Sequence, residues 1–185
     1  MKIDKKRRRE CKTNYNRRLI LLKGAYPRLV VRKTNRYLIV QIIESKHAQD
    51  KVICSVNTKD LLKYGWPENK SGSLKSVTAG YLAGYLIGKK AKNISGLILD
   101  MGLIPNTSGS RVYAVVKGVS DSGIKINFDK DIVPSKEKIE AKDKGIDFNK
   151  IKEKLKWKDN FNNFKEETEI IFQTEKWYLK KIEKK

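Results

Sequence analysis

Two kinds of side chain in this sequence could do chemistry. Carboxylates at Asp100, Asp121, Asp129 and Asp131 are of the type that holds divalent metal for phosphodiester cleavage. No fixed spacing joins them: Asp121 stands where a helix should end, and Asp129 and Asp131 sit in a turn-like stretch. The second kind is a cluster of guanidinium groups. Eight of the nine arginines fall at or before residue 36 (Arg7, Arg8, Arg9, Arg17, Arg18, Arg28, Arg32 and Arg36), and only Arg111 comes later. A guanidinium grips phosphate through paired N–H donors and stacks on flat rings, whereas an ammonium acts as a point charge. Tyr15 and Tyr37 lie among these arginines. The pattern suits a surface for phosphate and nucleotide, and a solvated charged face is the bland alternative. There is no phosphate-binding glycine loop, nucleophile elbow or Cys/His pair at usable spacing. Cys11 and Cys54 are far apart and predict no disulfide framework, and His47 alone leaves zinc short of ligands. The reading is a non-enzyme with no metal and no cofactor.

Charge supports it. The chain has 185 residues and a net charge of +21. Such a chain repels itself and seeks a polyanion, nucleic acid above all. The excess is uneven: residues 1–36 carry 14 Lys and Arg against Asp4 and Glu10. No apolar stretch approaches the length of a membrane span. The basic N-terminus is followed by no signal-type apolar core, so an intracellular protein without a membrane partner is expected.

The elements that must position the arginines start with a hairpin. Leu29–Arg32 and Tyr37–Ile43 are β-rich runs parted by the polar group Lys33-Thr34-Asn35-Arg36. A turn at Thr34-Asn35 pairs Val31 with Leu38 and Leu29 with Val40 on an apolar face. It pairs Arg32 with Tyr37, Val30 with Ile39 and Arg28 with Gln41 on a mixed face. Ahead of the hairpin, residues 1–25 form a basic arm too polar for a core of its own; alone it should be disordered or partly helical. Lys51–Val56 adds a third strand of a meander. Thr58–Pro67 reads as a short helical turn stopped by Gly65 and Pro67.

A helix follows, capped by Ser73 or Ser76 and running to about Lys92, with Gly80, Gly84 and Gly88 every four residues. That stripe predicts close approach of another element. Leu97–Asp100 is a buried-type strand, Ser110–Ser120 a helix, and Ile124–Phe128 a short extended piece. The fold class is mixed α/β: a three-stranded antiparallel meander plus a further strand, with helices on one face. The domain reading is a basic arm at 1–25, a core at 26–133, and a Lys/Glu-rich helical extension at 134–185. In that extension Phe161, Phe164, Thr168, Ile171, Glu175, Tyr178 and Ile182 form a stripe, and Asn163 with Glu166 a capping box.

Four stretches together carry a resemblance. Arg7-Arg8-Arg9-Glu10-Cys11-Lys12-Thr13-Asn14-Tyr15, Pro27–Tyr37, Lys63-Tyr64-Gly65-Trp66 and Gly109-Ser110-Arg111-Val112-Tyr113-Ala114 resemble, in that order, the 5S rRNA-binding family of the large ribosomal subunit. This is universal large-subunit protein eighteen, called protein five in eukaryotes. The likeness covers roughly residues 5–135 and looks archaeal. It implies a structural protein in the cytoplasm, within the large (50S) subunit. Its partners would be 5S rRNA, the large rRNA and neighbouring ribosomal proteins, including the other 5S-associated one. It also implies that the arm and the sheet face away from the helices meet RNA. The residues so placed are Arg7, Arg8, Arg9, Lys12, Tyr15, Arg17, Arg18, Arg28, Arg32, Lys33, Asn35, Arg36, Tyr37 and Arg111. A general RNA- or DNA-binding module outside the ribosome is the alternative, and an RNA-processing enzyme a distant third.

Overall fold

In a computed structural model, which describes residues 3–24, 26–46, 49–91, 94–140 and 146–155, the arm contains two helices, α1 (Lys6–Arg9) and α2 (Tyr15–Lys23). Asn14 caps α2 by accepting from the Arg17 N–H at 3.1 Å, which satisfies one of the orphan donors at a helix start. Strands β1 (Arg28–Lys33), β2 (Leu38–Lys46) and β3 (Gln49–Asn57) form the expected meander. A 3-10 helix Thr58–Tyr64 follows, closed by Gly65 in the left-handed region at φ 98°. The polar loop beyond it contains a second, Glu68–Ser73. Then come α3 (Val77–Lys90), β4 (Gly96–Asp100), α4 (Arg111–Asp121), β5 (Lys125–Ile126) and α5 (Lys136–Glu140). The sheet order is β3-β2-β1-β4-β5; β4 runs parallel to both β1 and β5.

The hairpin register differs from the expected one. Val31 pairs with Val40, Arg32 with Ile39 and Leu29 with Ile42. The turn is Asn35-Arg36, one residue later than expected. The Thr34 N–H donates to the Tyr37 carbonyl at 2.9 Å, and the Tyr37 N–H to the Thr34 hydroxyl at 2.9 Å. Those bonds reward the later turn. They also move every pairing by two residues, which leaves the strand side chains on the faces read for them; Tyr37, at the turn and outside β2, is the exception and packs against the core. Leu29, Val31, Leu38, Val40 and Ile42 are all fully buried on one face.

That face is covered by α3 and α4. Ser76 caps α3, its side chain accepting from the Ala79 N–H at 3.2 Å, and Lys89-Lys90 close it where the helix dipole favours cations. α3 is buried on all sides from Thr78 to Gly88, more than the single marked stripe suggested. Its glycines meet α4: a Cβ on Gly84 would stand 2.1 Å from the Val115 carbonyl oxygen, and one on Gly118 would stand 2.1 Å from that of Tyr81. The two backbones touch there. Ile139, Ile146, Phe148, Ile151 and Leu155 join the same core, so the start of the 134–185 segment packs on it. Lys152 fastens this piece: its Nζ donates to the Tyr81 hydroxyl at 2.9 Å and lies 5.1, 5.5 and 5.6 Å from the ring centres of Tyr81, Tyr85 and Phe148. The stripe from Phe161 and the Asn163–Glu166 capping box lie outside the described residues. No helix among the described residues is long and apolar enough to cross a membrane.

Candidate nucleic-acid interface

The other sheet face carries Arg28, Val30 and Arg32 from β1 and, by register, Ile98 and Asp100 from β4. It was expected to lie open, yet α2 lies against it. Leu21 borders one hollow with Arg32 and Asp100 and another with Arg28 and Ser45. Val30 and Ile43 are buried. A polar network ties helix to sheet. Arg28, 3% exposed, donates to Asp100 Oδ2 at 3.0 Å, Ser45 Oγ at 2.9 Å and Asp50 Oδ1 at 2.8 Å. The other Asp50 oxygen accepts from Arg18 at 2.8 Å. Partial burial works against the Asp50 charge. The Ser45 hydroxyl, Arg28 and Arg18 outweigh it and hold the carboxyl below its ordinary pKa. Asp100 Oδ1 accepts from Arg32 Nη2 at 3.0 Å and from the Gly102 N–H at 2.9 Å.

Where the arm crosses the ends of β1 and β4, a cleft of about 500 Å³ opens. Arg7, Lys12, Arg17, Arg18, Arg32 and Lys33 line it, with Thr13, Asn14 and the loop Met101–Pro105; among the described residues Asp100 is the one carboxylate in its wall. Six basic groups from a helix, a loop, a second helix and a strand thus meet around one space. Among the described residues the Arg17 guanidinium makes one long contact, 3.5 Å to the Gly102 carbonyl, and that of Arg7 one bond of 3.0 Å to Thr13; both are exposed. Arg8 and Tyr15 border an adjoining hollow with Leu103. The Lys5 ammonium lies 4.8 Å from the centre of the Tyr15 ring.

The structure therefore sorts the expected contact residues. Arg7, Lys12, Arg17, Arg18, Arg32 and Lys33 are gathered in the cleft, with Arg8 and Tyr15 beside it. Arg9, Asn35 and Arg36 are exposed, the last two at the hairpin turn. Tyr37 is half-buried against the core. Arg111 opens α4 in the helix layer. Arg28 is enclosed: its Nη groups are held by two carboxylates and a hydroxyl, and its Nε is buried without a partner among the described residues.

Sequence reasoning missed the loop Met101–Pro105 as a cleft wall and read Asp100 only as a doubtful metal ligand. Asp100 is instead the acceptor that fixes two arginines. Its place at the end of an apolar strand, next to Met101-Gly102, was the available signal. Among the described residues, no group of three or more His, Cys, Asp or Glu could hold a metal ion.

Residues 1–97 match a family model described as ribosomal large subunit proteins 60S L5 and 50S L18. The chain is 47% identical over 140 residues to the large ribosomal subunit protein uL18 of Korarchaeum cryptofilum, covering 75% of this chain and 70% of the relative. It is 40% identical over 141 residues to the uL18 of Aeropyrum pernix, covering 75% and 64%. With that of Methanoregula boonei it shares 39% over 138 residues, covering 74% and 77%.

Proposed function

This chain belongs to the family of ribosomal large subunit proteins 60S L5 and 50S L18, and we propose that it binds 5S rRNA and helps attach it to the large rRNA. It is a structural, non-enzymatic constituent of the large ribosomal subunit, of the archaeal type. The observation that carries the RNA reading is the convergence of six basic side chains on one cleft with one carboxylate in its wall. Phosphate contacts supply affinity and fix orientation by releasing counterions. Arginines already seated in a cleft lose less side-chain entropy on binding than arginines on a free tail.

In this reading the arm, residues 1–25, and the ends of β1 and β4 hold the 5S rRNA. The core, residues 26–133, is the rigid support. Ile139, Ile146, Phe148, Ile151 and Leu155 from the segment 134–185 join that core, and neighbouring large-subunit proteins, among them the other 5S-associated one, are its protein partners. The preference for 5S rRNA over other nucleic acids rests on the family. The cleft itself speaks for phosphate and base.

Filter binding across a salt series tests the proposal, with 5S rRNA, tRNA and duplex DNA of matched length as ligands. The full chain should prefer 5S rRNA at moderate salt. A chain lacking residues 1–23 should bind it more weakly and with a shallower salt dependence, since each lost phosphate contact removes roughly 0.7 to 0.9 from the log–log slope. Equal affinity for all three ligands would instead make the chain a general nucleic-acid binder.

A further inference from the structure

Of the arginines lining the cleft, Arg32 is the most fully engaged. Its Nη1 donates to the carbonyls of Val31 at 2.9 Å and Asp100 at 2.8 Å, and its Nη2 to Asp100 Oδ1 at 3.0 Å. A guanidinium has five N–H donors. Three are spent inside the protein, and the Asp100 carboxylate offsets the charge. That makes Arg32 a poorer phosphate ligand than Arg7 or Arg17, whose guanidinium groups have no carboxylate partner among the described residues.

What Arg32 offers is a flat face. A Cβ on Gly102 would stand 3.0 Å from Arg32 Cζ, 3.2 Å from Nη1 and 3.3 Å from Nη2. A point that near to all three, and nearest the central carbon, lies over the plane of the group and not beside its edge. One face of the guanidinium therefore lies on the Gly102 backbone. Gly102 also holds a left-handed φ of 64°, so a side chain there would be both strained and in the way. The inner edge is pinned by Val31 and Asp100, and the side chain is still 42% exposed. The cleft it borders is also lined by Met101, Ile104, Pro105 and Leu103, the last 55% exposed. A planar cation fixed in place beside apolar side chains is a seat for an aromatic ring. The cleft is too small for a duplex and roomy enough for one nucleotide turned out of its stack.

We infer that Arg32 is a stacking platform for a single unpaired RNA base, while Arg7 and Arg17 take the flanking phosphates. The inference rests on the RNA-binding reading above and gives one residue of that site a separate role. Asp100 and Gly102 act through Arg32 as positioning residues. Proteins read RNA most specifically where bases are unpaired and can be stacked on rings or guanidinium planes, so the platform would select a bulge or loop over a continuous helix.

The test uses the full chain with 5S rRNA over a salt series, and compares Arg32→Lys with Arg17→Ala. Arg32→Lys keeps the charge and loses the plane. It should weaken binding about 5- to 150-fold, the loss expected for one base stack, with the salt slope of the wild type. Arg17→Ala should lower the slope by roughly 0.7 to 0.9. In parallel, 5S rRNA carrying 4-thiouridine is photo-cross-linked to the wild-type protein. A cross-link from an unpaired uridine to Arg32 or to the loop Met101–Pro105 is expected. Wild-type affinity in Arg32→Lys, or cross-links at this cleft from paired nucleotides alone, would overturn the platform. Should the wild type bind 5S rRNA no better than tRNA, the 5S reading fails. The Arg32→Lys loss measured on tRNA then decides the platform by itself.

Discussion

Replacing Gly84 by alanine separates helix propensity from packing, because the two predict opposite signs. Alanine stabilises a helix interior by about 1 kcal/mol relative to glycine, so on propensity alone Gly84→Ala should raise stability. The structure predicts the reverse. The added Cβ would lie 2.1 Å from the Val115 carbonyl oxygen and 2.9 Å from the Val115 carbonyl carbon and Cα. These are backbone atoms of α4 and cannot rotate aside. The helices would have to part by about an ångström, and α3 is buried on all sides, so the strain spreads into the core. Overpacking costs about 1 to 3 kcal/mol, and backbone against backbone belongs at the upper end. After the propensity gain, a net loss of about 2 kcal/mol remains. For a chain of 185 residues that lowers the Tm by about 4 to 8 °C. Thermal melting followed by circular dichroism reads it directly. Gly72→Ala is the control: nothing lies within 4 Å of its added Cβ, and the change should stay within about 0.5 kcal/mol. A Tm for Gly84→Ala equal to or above that of the wild type would refute the close contact between α3 and α4.

Arg28→Ala should fail as a folding variant, not as a binding variant. It strips a partner from Asp100 and Asp50 and should cost about 3 kcal/mol in urea denaturation; a stable Arg28→Ala that lost RNA affinity would restore Arg28 to the interface. The depressed Asp50 pKa sets a pH dependence. Its contribution is complete above the ordinary carboxylate value of 3.8 and is lost as pH falls through the lower folded value. The urea midpoint of Asp50→Asn should therefore lie below that of the wild type near neutral pH, and the two should converge in acid; a gap that widens with acid would contradict the ion pairs drawn here. Lys152→Ala removes the bond to Tyr81 and the contact with three rings, at roughly 1 to 2 kcal/mol. The stretch 148–155 should become more open to protease, and unchanged digestion would show that apolar packing alone holds it.

Much of this architecture follows from local pattern. Period-two alternation in Leu29–Val31 and Leu38–Ile42 assigned the core face correctly although the turn was placed one residue early, because a pairing shift of two residues preserves the faces. The four-residue glycine spacing announced the close approach of a strand or a helix without deciding between them or naming α4. Biased charge singled out the arm and the hairpin, and six of their basic side chains line one cleft. What the sequence could not decide is which of those charges stay free. Arg28 and Arg32 have the same residue type and neighbouring places on one strand face. Their fates are set by Asp100, which lies 72 and 68 residues further along the chain and comes beside them only because β4 pairs parallel with β1. Composition counts charges wherever they fall, and a hydrophobic period reports which side of an element is apolar. Neither carries the long-range pairing that consumes one arginine in the interior and leaves another at the edge of a cleft.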